Sequence, residues 1–366
     1  MSLARRNLFQ DKTRLALSIG GVALAVMLIL IMDGFLAGMN RQITSYLDHS
    51  DGSIIVAQKG ISNLLGATSL LPARIESDAE AVDGVSDAIP ILSQFIILDL
   101  HEKKQPVYLI GYDTAQGGGA WNIAEGRAPE TDDEIILDRI LAERHDLAID
   151  DRIEVMGKDF SIVGLSDDTT SWMTSFLFMR KSAAESLLRA PGAVSFLLVE
   201  PTSGQERSEV VEGLNRLEGV NVLTKEDMKV NDIKLFARVF SAPLRLMIAI
   251  AFLVGIMVVG LVIYTATIER QREYGVLKAI GSSNRVLYGV VAVQALFASL
   301  AGSLTGILFA YGAADLIMFL RPQFLIVFNP SDMAWALAAG LGMALAAALF
   351  PARVIAGLAP AEVFRK

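Results

Sequence analysis

The sequence predicts an α-helical membrane protein with four transmembrane helices, plus a mixed α/β (α+β) extracytoplasmic domain inserted between helices 1 and 2. Three observations carry this reading. Four long runs are almost free of charge. A segment of about 200 residues between the first and second runs alternates short apolar stretches with polar turns, the pattern of small strands and helices. Charge also divides between the two kinds of sequence.

Across 366 residues, 53% are hydrophobic and only 20% charged, with a mean hydropathy of +0.47. These values exceed ordinary soluble usage. The apolar runs are Leu15–Met32, Leu246–Ile268, Val286–Ala314 and Met333–Pro351. Each is long enough, at about 1.5 Å per residue, to cross a hydrocarbon core about 30 Å thick. The first run is longer than a signal-peptide core, and Asp33, Gly34 and Phe35 follow it in place of a small-residue cleavage site. It therefore reads as a retained first helix.

Positive charge sets the orientation. Arg5, Arg6, Lys12 and Arg14 precede the first run, Arg270, Arg272, Lys278 and Arg285 lie between the second and third, and Arg353, Arg365 and Lys366 follow the fourth. The other side has only Arg245 and Arg321 near helix ends. Both termini and the 269–285 loop are thus expected to be cytoplasmic. Residues 40–242 carry 19 Lys/Arg and 33 Asp/Glu, a net −14, whereas the remainder carries +6. The expected parts are a cytoplasmic N-terminal helix with transmembrane helix 1 (1–39), an extracytoplasmic domain (40–242), and helices 2–4 with their loop (243–366).

Within 40–242, Ser53–Ala57, Phe95–Leu100, Val107–Gly111, Arg152–Val155, Phe160–Leu165, Ser175–Met179 and Val194–Val199 read as strands. Ser77–Val82, Asp138–His145, Lys181–Arg189 and Gln205–Leu217 read as short helices, and Thr224–Phe240 leads into helix 2, broken only at Pro243. Ser182 and Glu185 have the spacing of a helix N-terminal capping pair. Asp83-Gly84, Met156-Gly157 and Pro191-Gly192 supply turns. The Gly117-Gly118-Gly119 run reads as a flexible turn dividing the region near Tyr112–Gly126, and Trp172-Met173-Thr174 as an exposed loop.

Chemistry is excluded more readily than assigned. With no cysteine, disulfides, thiolate metal sites and cysteine nucleophiles are absent. His49, His101 and His145 have no metal-type spacing. A net charge of −8 argues against a nucleic-acid-coating protein. No P-loop, H-E-x-x-H or G-x-S-x-G motif occurs. Asp132-Asp133-Glu134 and Asp150-Asp151 lack calcium-loop spacing and read as solvated turns. No catalytic residue, metal ligand set or cofactor site is assigned to this chain.

Two membrane features stand out beside a cytoplasmic one. Gly302 and Gly306 form a G-x-x-x-G step, expected to pack against helix 2 or across a dimer. Asp33, Arg245 and Asp315 lie toward outer helix ends, where they could line an outward vestibule. The segment from Glu269 to Gly281 fits a short amphipathic helix with Gly281 as its C-terminal cap, an apolar line of Tyr274, Leu277 and Ile280, and a charged face of Arg270, Glu273 and Lys278.

Those residues carry a resemblance. Glu269-Arg270-Gln271-Arg272-Glu273-Tyr274-Gly275-Val276-Leu277-Lys278-Ala279-Ile280-Gly281 resembles the E-R-x-x-E-[IY]-G-x-x-[KR]-A-[IL]-G signature of FtsX-like permeases, the MacB/LolC-type (type VII) ABC transporter subunits. Ala4–Leu8 with Lys12–Arg14 and Gly20-Gly21, Gly126–Pro129 through Asp133–Leu137 and Asp151–Val155, and Pro351–Arg353 with Pro360–Val363 are similar to further family segments, in the family's order. The resemblance implies a dimer (two copies, or this chain with a related permease) working with separate cytoplasmic ATPase subunits that hold ATP and Mg. It makes Glu269, Arg270, Arg272, Glu273, Tyr274, Gly275, Lys278, Ala279 and Gly281 the ATPase-coupling helix. It also implies a bacterial cytoplasmic (inner) membrane, mechanotransmission in place of a pore, and scope for a periplasmic adaptor. The expected function is export or extraction of a hydrophobic or amphipathic substrate driven by the separate ATPase; the rivals are a regulator of an extracytoplasmic cell-wall hydrolase and a membrane-anchored receptor without an ATPase.

Overall fold

The structure, a computed structural model, describes residues 12–269 and 271–357. Arg5 and Arg6, the Ala4–Leu8 match, Arg270, Pro360–Val363, Arg365 and Lys366 lie outside the described residues. The chain divides into two compact units, Met1–Gly38 with Phe240–Lys366, and Met39–Val239.

The first unit is helical. Its elements come from α1 (Lys12–His49), α6 (Lys225–Glu269), α7 (Gln271–Ala279), α8 (Asn284–Leu320) and α9 (Pro330–Gly357). Of these, α1, α6, α8 and α9 are long and apolar enough to cross a membrane. The first helix continues 17 residues beyond the apolar run, because Asp33 and Gly34 neither cap nor break it. Pro243 is absorbed inside α6. Val22, Val26, Val259, Leu287, Val291, Met343, Ala344 and Ala347 form the buried core, while Met257 and Leu308 are 72% and 69% exposed. Large apolar side chains on the outside of the bundle are what a bilayer solvent favours.

The helices approach through glycine. A Cβ on Gly21 would lie 2.5 Å from Val258 Cγ1, one on Gly302 2.6 Å from Val22 Cβ, and one on Gly306 2.6 Å from the Ala23 carbonyl oxygen. The G-x-x-x-G step on α8 therefore packs on α1, not on helix 2 as expected from sequence. With the step already filled within one chain, it gives no support to a contact across a dimer.

The second unit holds β1 (Ile54–Gln58), α2 (Ile75–Glu80), β2 (Val85–Leu100), β3 (Lys103–Tyr112), β4 (Ile123–Gly126), β5 (Glu134–Asp138), α3 (Arg139–Arg144), β6 (Arg152–Val155), β7 (Lys158–Ser166), β8 (Thr170–Ser171), β9 (Thr174–Arg180), α4 (Lys181–Leu188), β10 (Phe196–Pro201), α5 (Arg207–Leu214) and β11 (Val220–Thr224). The sheet order is β11-β1-β10-β2-β3-β9-β5-β7-β4, with β6 on β7 and β8 on β9. β2 and β3 form a long hairpin in which Phe95 faces Tyr108, and β3 continues parallel to β9 with Tyr108 beside Phe176.

Several sequence expectations need correction here. The domain does not divide at Tyr112–Gly126. Two cores meet along β2, which gives Ala88 to one and Leu92, Ile96 and Leu98 to the other. The glycine run is not a loose turn: Tyr46 Oη donates to the Gly118 carbonyl (2.7 Å), and Gly118 N–H donates to Asp51 Oδ2 (3.1 Å). Ser182 and Glu185 form no capping pair. Arg180 is the N-cap of α4, Ser182 Oγ donates to Asp132, and Glu185 accepts from Lys181 and from Gly192 N–H. Trp172 is buried, and only Met173 of its turn is exposed.

Candidate functional site

The cytoplasmic signature segment folds as α7, and its end has a physical cause. Gly281 adopts φ +97°, Ser282 N–H donates to the Leu277 carbonyl (2.9 Å), and Gly281 N–H donates to the Lys278 carbonyl (3.0 Å). This pair of bonds is the Schellman arrangement, which glycine satisfies without a Cβ penalty.

The faces of α7 sort the signature residues. Tyr274 is 3% exposed and joins the core of the helical unit with Val26, Leu287 and Val291, with Leu277 packed beside it. Gly275 is buried as well. Glu269, Arg272, Glu273 and Ala279 are exposed, and Lys278 is half-buried. Ile280 does not continue the apolar line: it follows the last helical residue and is 74% exposed. The helix thus presents one anchoring face and one open face, where Val276 and Ile280 stand among Arg272 and Glu273. Apolar side chains set in a charged rim suit a protein–protein contact.

The other proposed residues are less concentrated. Asp33 is half-buried on α1, while Arg245 on α6 and Asp315 on α8 are exposed. Among the described residues, no hydrogen bond or ion pair joins any two of these three. A second glycine step of the same spacing, Gly34 and Gly38, lies on α1. That step receives the α8–α9 connection: Val327 N–H donates to the Gly34 carbonyl (3.0 Å), and Phe324 meets Phe35 edge-on at 5.6 Å.

In the second unit Asp132, Asp133 and Asp151 accept hydrogen bonds from Ser182 Oγ, Thr131 Oγ1 and Ala148 N–H. Glu134 accepts both guanidinium nitrogens of Arg127, which with the Glu130 and Thr131 N–H groups pushes its carboxyl down to about 2. Asp138 caps α3 by accepting from Leu141 N–H (3.0 Å) and also accepts from Thr169 and Thr170; burial raises its pKa against these bonds. Tyr46, Trp121, Tyr108, Phe176 and Phe178 form a connected ring cluster where the end of α1 meets the sheet. Lys229 pairs with Asp48 at 2.7 Å, joining the first turns of α6 to the last turn of α1.

Four membrane-length helices, an α/β domain between the first two, and a capped amphipathic helix after the second define a multi-pass membrane protein with one large inserted domain. The chain matches the MacB-like periplasmic core domain over residues 15–217 and the FtsX-like permease C-terminal domain over 245–360, and it belongs to the FtsX/MacB family of ABC transporter permeases. It is 24% identical over 316 residues to an uncharacterized ABC transporter permease of Mycobacterium tuberculosis, covering 86% of each chain. Over 332 residues it is 23% identical to a Staphylococcus epidermidis protein named as the hemin transport system permease HrtB, covering 90% of this chain and 88% of that one. The periplasmic region of MacB from Actinobacillus actinomycetemcomitans overlays 49% of this chain and 92% of its own at 12% identity, with a TM-score of 0.38. For the extracellular domain of the transporter YknZ the values are 47%, 99%, 12% and 0.37.

Proposed function

We propose that the chain couples ATP hydrolysis on a separate cytoplasmic ATPase to the export or extraction of a hydrophobic or amphipathic substrate by mechanotransmission. The observation that carries this is α6. Its 45 residues span about 68 Å, roughly twice a hydrocarbon core, with β11 directly before it and α7 one residue after it. A helix of that length, docked on an ATPase through the open face of α7, acts as a lever. In this reading ATP and Mg sit on the partner, and the permease works as a dimer with itself or a related chain. The bacterial inner membrane holds it with both termini inside, and a periplasmic adaptor is a further partner the arrangement admits. Asp33, Arg245 and Asp315 are assigned to an outer vestibule.

The test is co-expression with the neighbouring ATPase, purification, and reconstitution in liposomes. Substrate-stimulated ATP hydrolysis is the expected result, and hemin is the first compound to try because of the named S. epidermidis relative. Stimulation only by a cell-wall hydrolase would favour the regulator instead, and failure to bind any ATPase would favour the receptor.

A further inference from the structure

Residues 59–70 leave β1 and return beside it as a compact loop of the Ω type. Gln58 pinches the two ends: its N–H donates to Ser69 Oγ (2.9 Å), and its side-chain oxygen accepts from Leu70 N–H (3.1 Å). Leu71 then bridges to Val194, just before β10. The middle of the loop lies along the first turns of α6. Asp232, fully buried, accepts from Leu64 N–H (3.1 Å) and Leu65 N–H (3.2 Å) through Oδ1. Asn231 Nδ2 donates to the Ser62 carbonyl (3.2 Å), and Gly66 admits the Leu235 side chain where a Cβ would overlap it.

A buried carboxylate is costly unless donors satisfy it, and here the donors are backbone N–H groups at the middle of the loop. Leu64 and Leu65 are 2% and 5% exposed, so the clasp is also an apolar seat. We propose that Asp232 is a positioning residue that makes loop 59–70 travel with α6, so that displacement of α6 reaches β1 and β10 through the two ends of the loop. This rests on the lever reading above. β11 already joins α6 to β1 directly; the clasp adds a second route through the loop, which without it would absorb the movement.

Hydrogen exchange followed by mass spectrometry on the full chain in lipid nanodiscs, alone and with its ATPase, tests it. In Asp232→Ala, exchange of the 61–66 amides should rise about tenfold or more, the scale expected when the acceptor of two N–H groups is removed. Amides of β5 should stay as protected as before. With the ATPase, nucleotide should change exchange at 61–66 and at 225–239 together in the wild type, and the change at 61–66 should vanish in Asp232→Ala. Unchanged 61–66 exchange in a folded variant overturns the proposal, as does a nucleotide response at 61–66 that survives the substitution. If β5 loses protection and the variant is misfolded, the wild-type complex decides. A nucleotide response in 225–239 without one in 61–66 overturns the proposal; a joint response supports it. A chain that binds no ATPase defeats the lever reading, while the response of 61–66 to Asp232→Ala alone still decides the clasp.

Discussion

Gly302 of α8 lies so close to Val22 of α1 that an added Cβ would come within 2.6 Å of Val22 Cβ and 2.8 Å of the Ile19 carbonyl oxygen. Backbone cannot step aside as a flexible side chain can, so a larger residue must separate the helices. Gly302→Val should cost about 1–3 kcal/mol, the usual price of overpacking. Gly312, with open space around its Cβ position, is the control, and Gly312→Ala should leave stability unchanged or slightly raised. Tryptophan fluorescence during thermal unfolding in detergent reads both. Equal melting of the two variants would refute the α1–α8 contact.

This contact shows what the sequence could and could not reveal. Apolar length alone identified the four membrane helices, and the spacing of Gly302 and Gly306 identified a close approach. Neither names the partner helix, because every membrane helix offers similar apolar faces. β5 was missed for a related reason. Its Ile135-Ile136-Leu137 core is buried on both faces and gives no alternation, and it runs straight into α3. Pro90 hid the first half of β2, since proline argues against a central strand although this one continues through it. The signature at 269–281 marked the amphipathic helix, but a spacing of three made Ile280 look like an anchor. Only the turn at Gly281 places it in the open. Asp232 had no sequence signal at all, because its partners are backbone groups 167 and 168 residues away.

The two faces of α7 should respond differently to substitution. Tyr274→Ala empties a core site and should cost about 3 kcal/mol or more, the range for a large aromatic cut to alanine. Glu273→Lys alters only the exposed face and should leave the melting temperature in place while lowering ATPase recovery in a pull-down. If Glu273→Lys melts early, or Tyr274→Ala does not, the assignment of faces is reversed.

Glu134 provides a test in acid. Its bond with Arg127 sets the folded pKa at about 2, below the ordinary value of 4.5, so its contribution is fully present above pH 4.5 and is lost as pH falls toward 2. Glu134→Gln should melt below the wild type at pH 7, with the difference closing between pH 4.5 and 2. A gap that stays constant over that interval would mean the carboxylate charge is not the stabilising feature.

His145 works at a milder pH. It is 4% exposed, Nε2 has no hydrogen-bond partner among the described residues, and burial first, then Arg144, Lys103 and His101, hold its pKa below the ordinary 6.5. The folded state therefore favours the neutral ring. Stability is intact above about pH 6.5 and declines as pH falls through that value, because the unfolded chain takes up the proton first. His145→Leu keeps an apolar group in the site and should flatten the stability profile between pH 7 and 5. Melting curves of both proteins across this range are sufficient, and an unchanged slope in the variant would assign the pH dependence elsewhere.

Membrane orientation is the remaining prediction, and the chain suits the experiment because it has no cysteine to remove. Ser203 lies exposed between β10 and α5, in the domain proposed to face outward, and Ser283 lies exposed between α7 and α8, on the side proposed to meet the ATPase. Neither side chain donates or accepts a bond among those described, so cysteine at either position should not disturb the fold. A membrane-impermeant maleimide should label Ser203→Cys in cells whose outer barrier is opened but whose inner membrane is intact. It should reach Ser283→Cys only after the inner membrane is permeabilised. The positive-inside rule requires this pattern, because Arg272, Lys278 and Arg285 all sit at the Ser283 end of the helices. The opposite pattern would place the acidic domain in the cytoplasm, leave α7 on the wrong side for an ATPase, and remove the lever mechanism along with the topology.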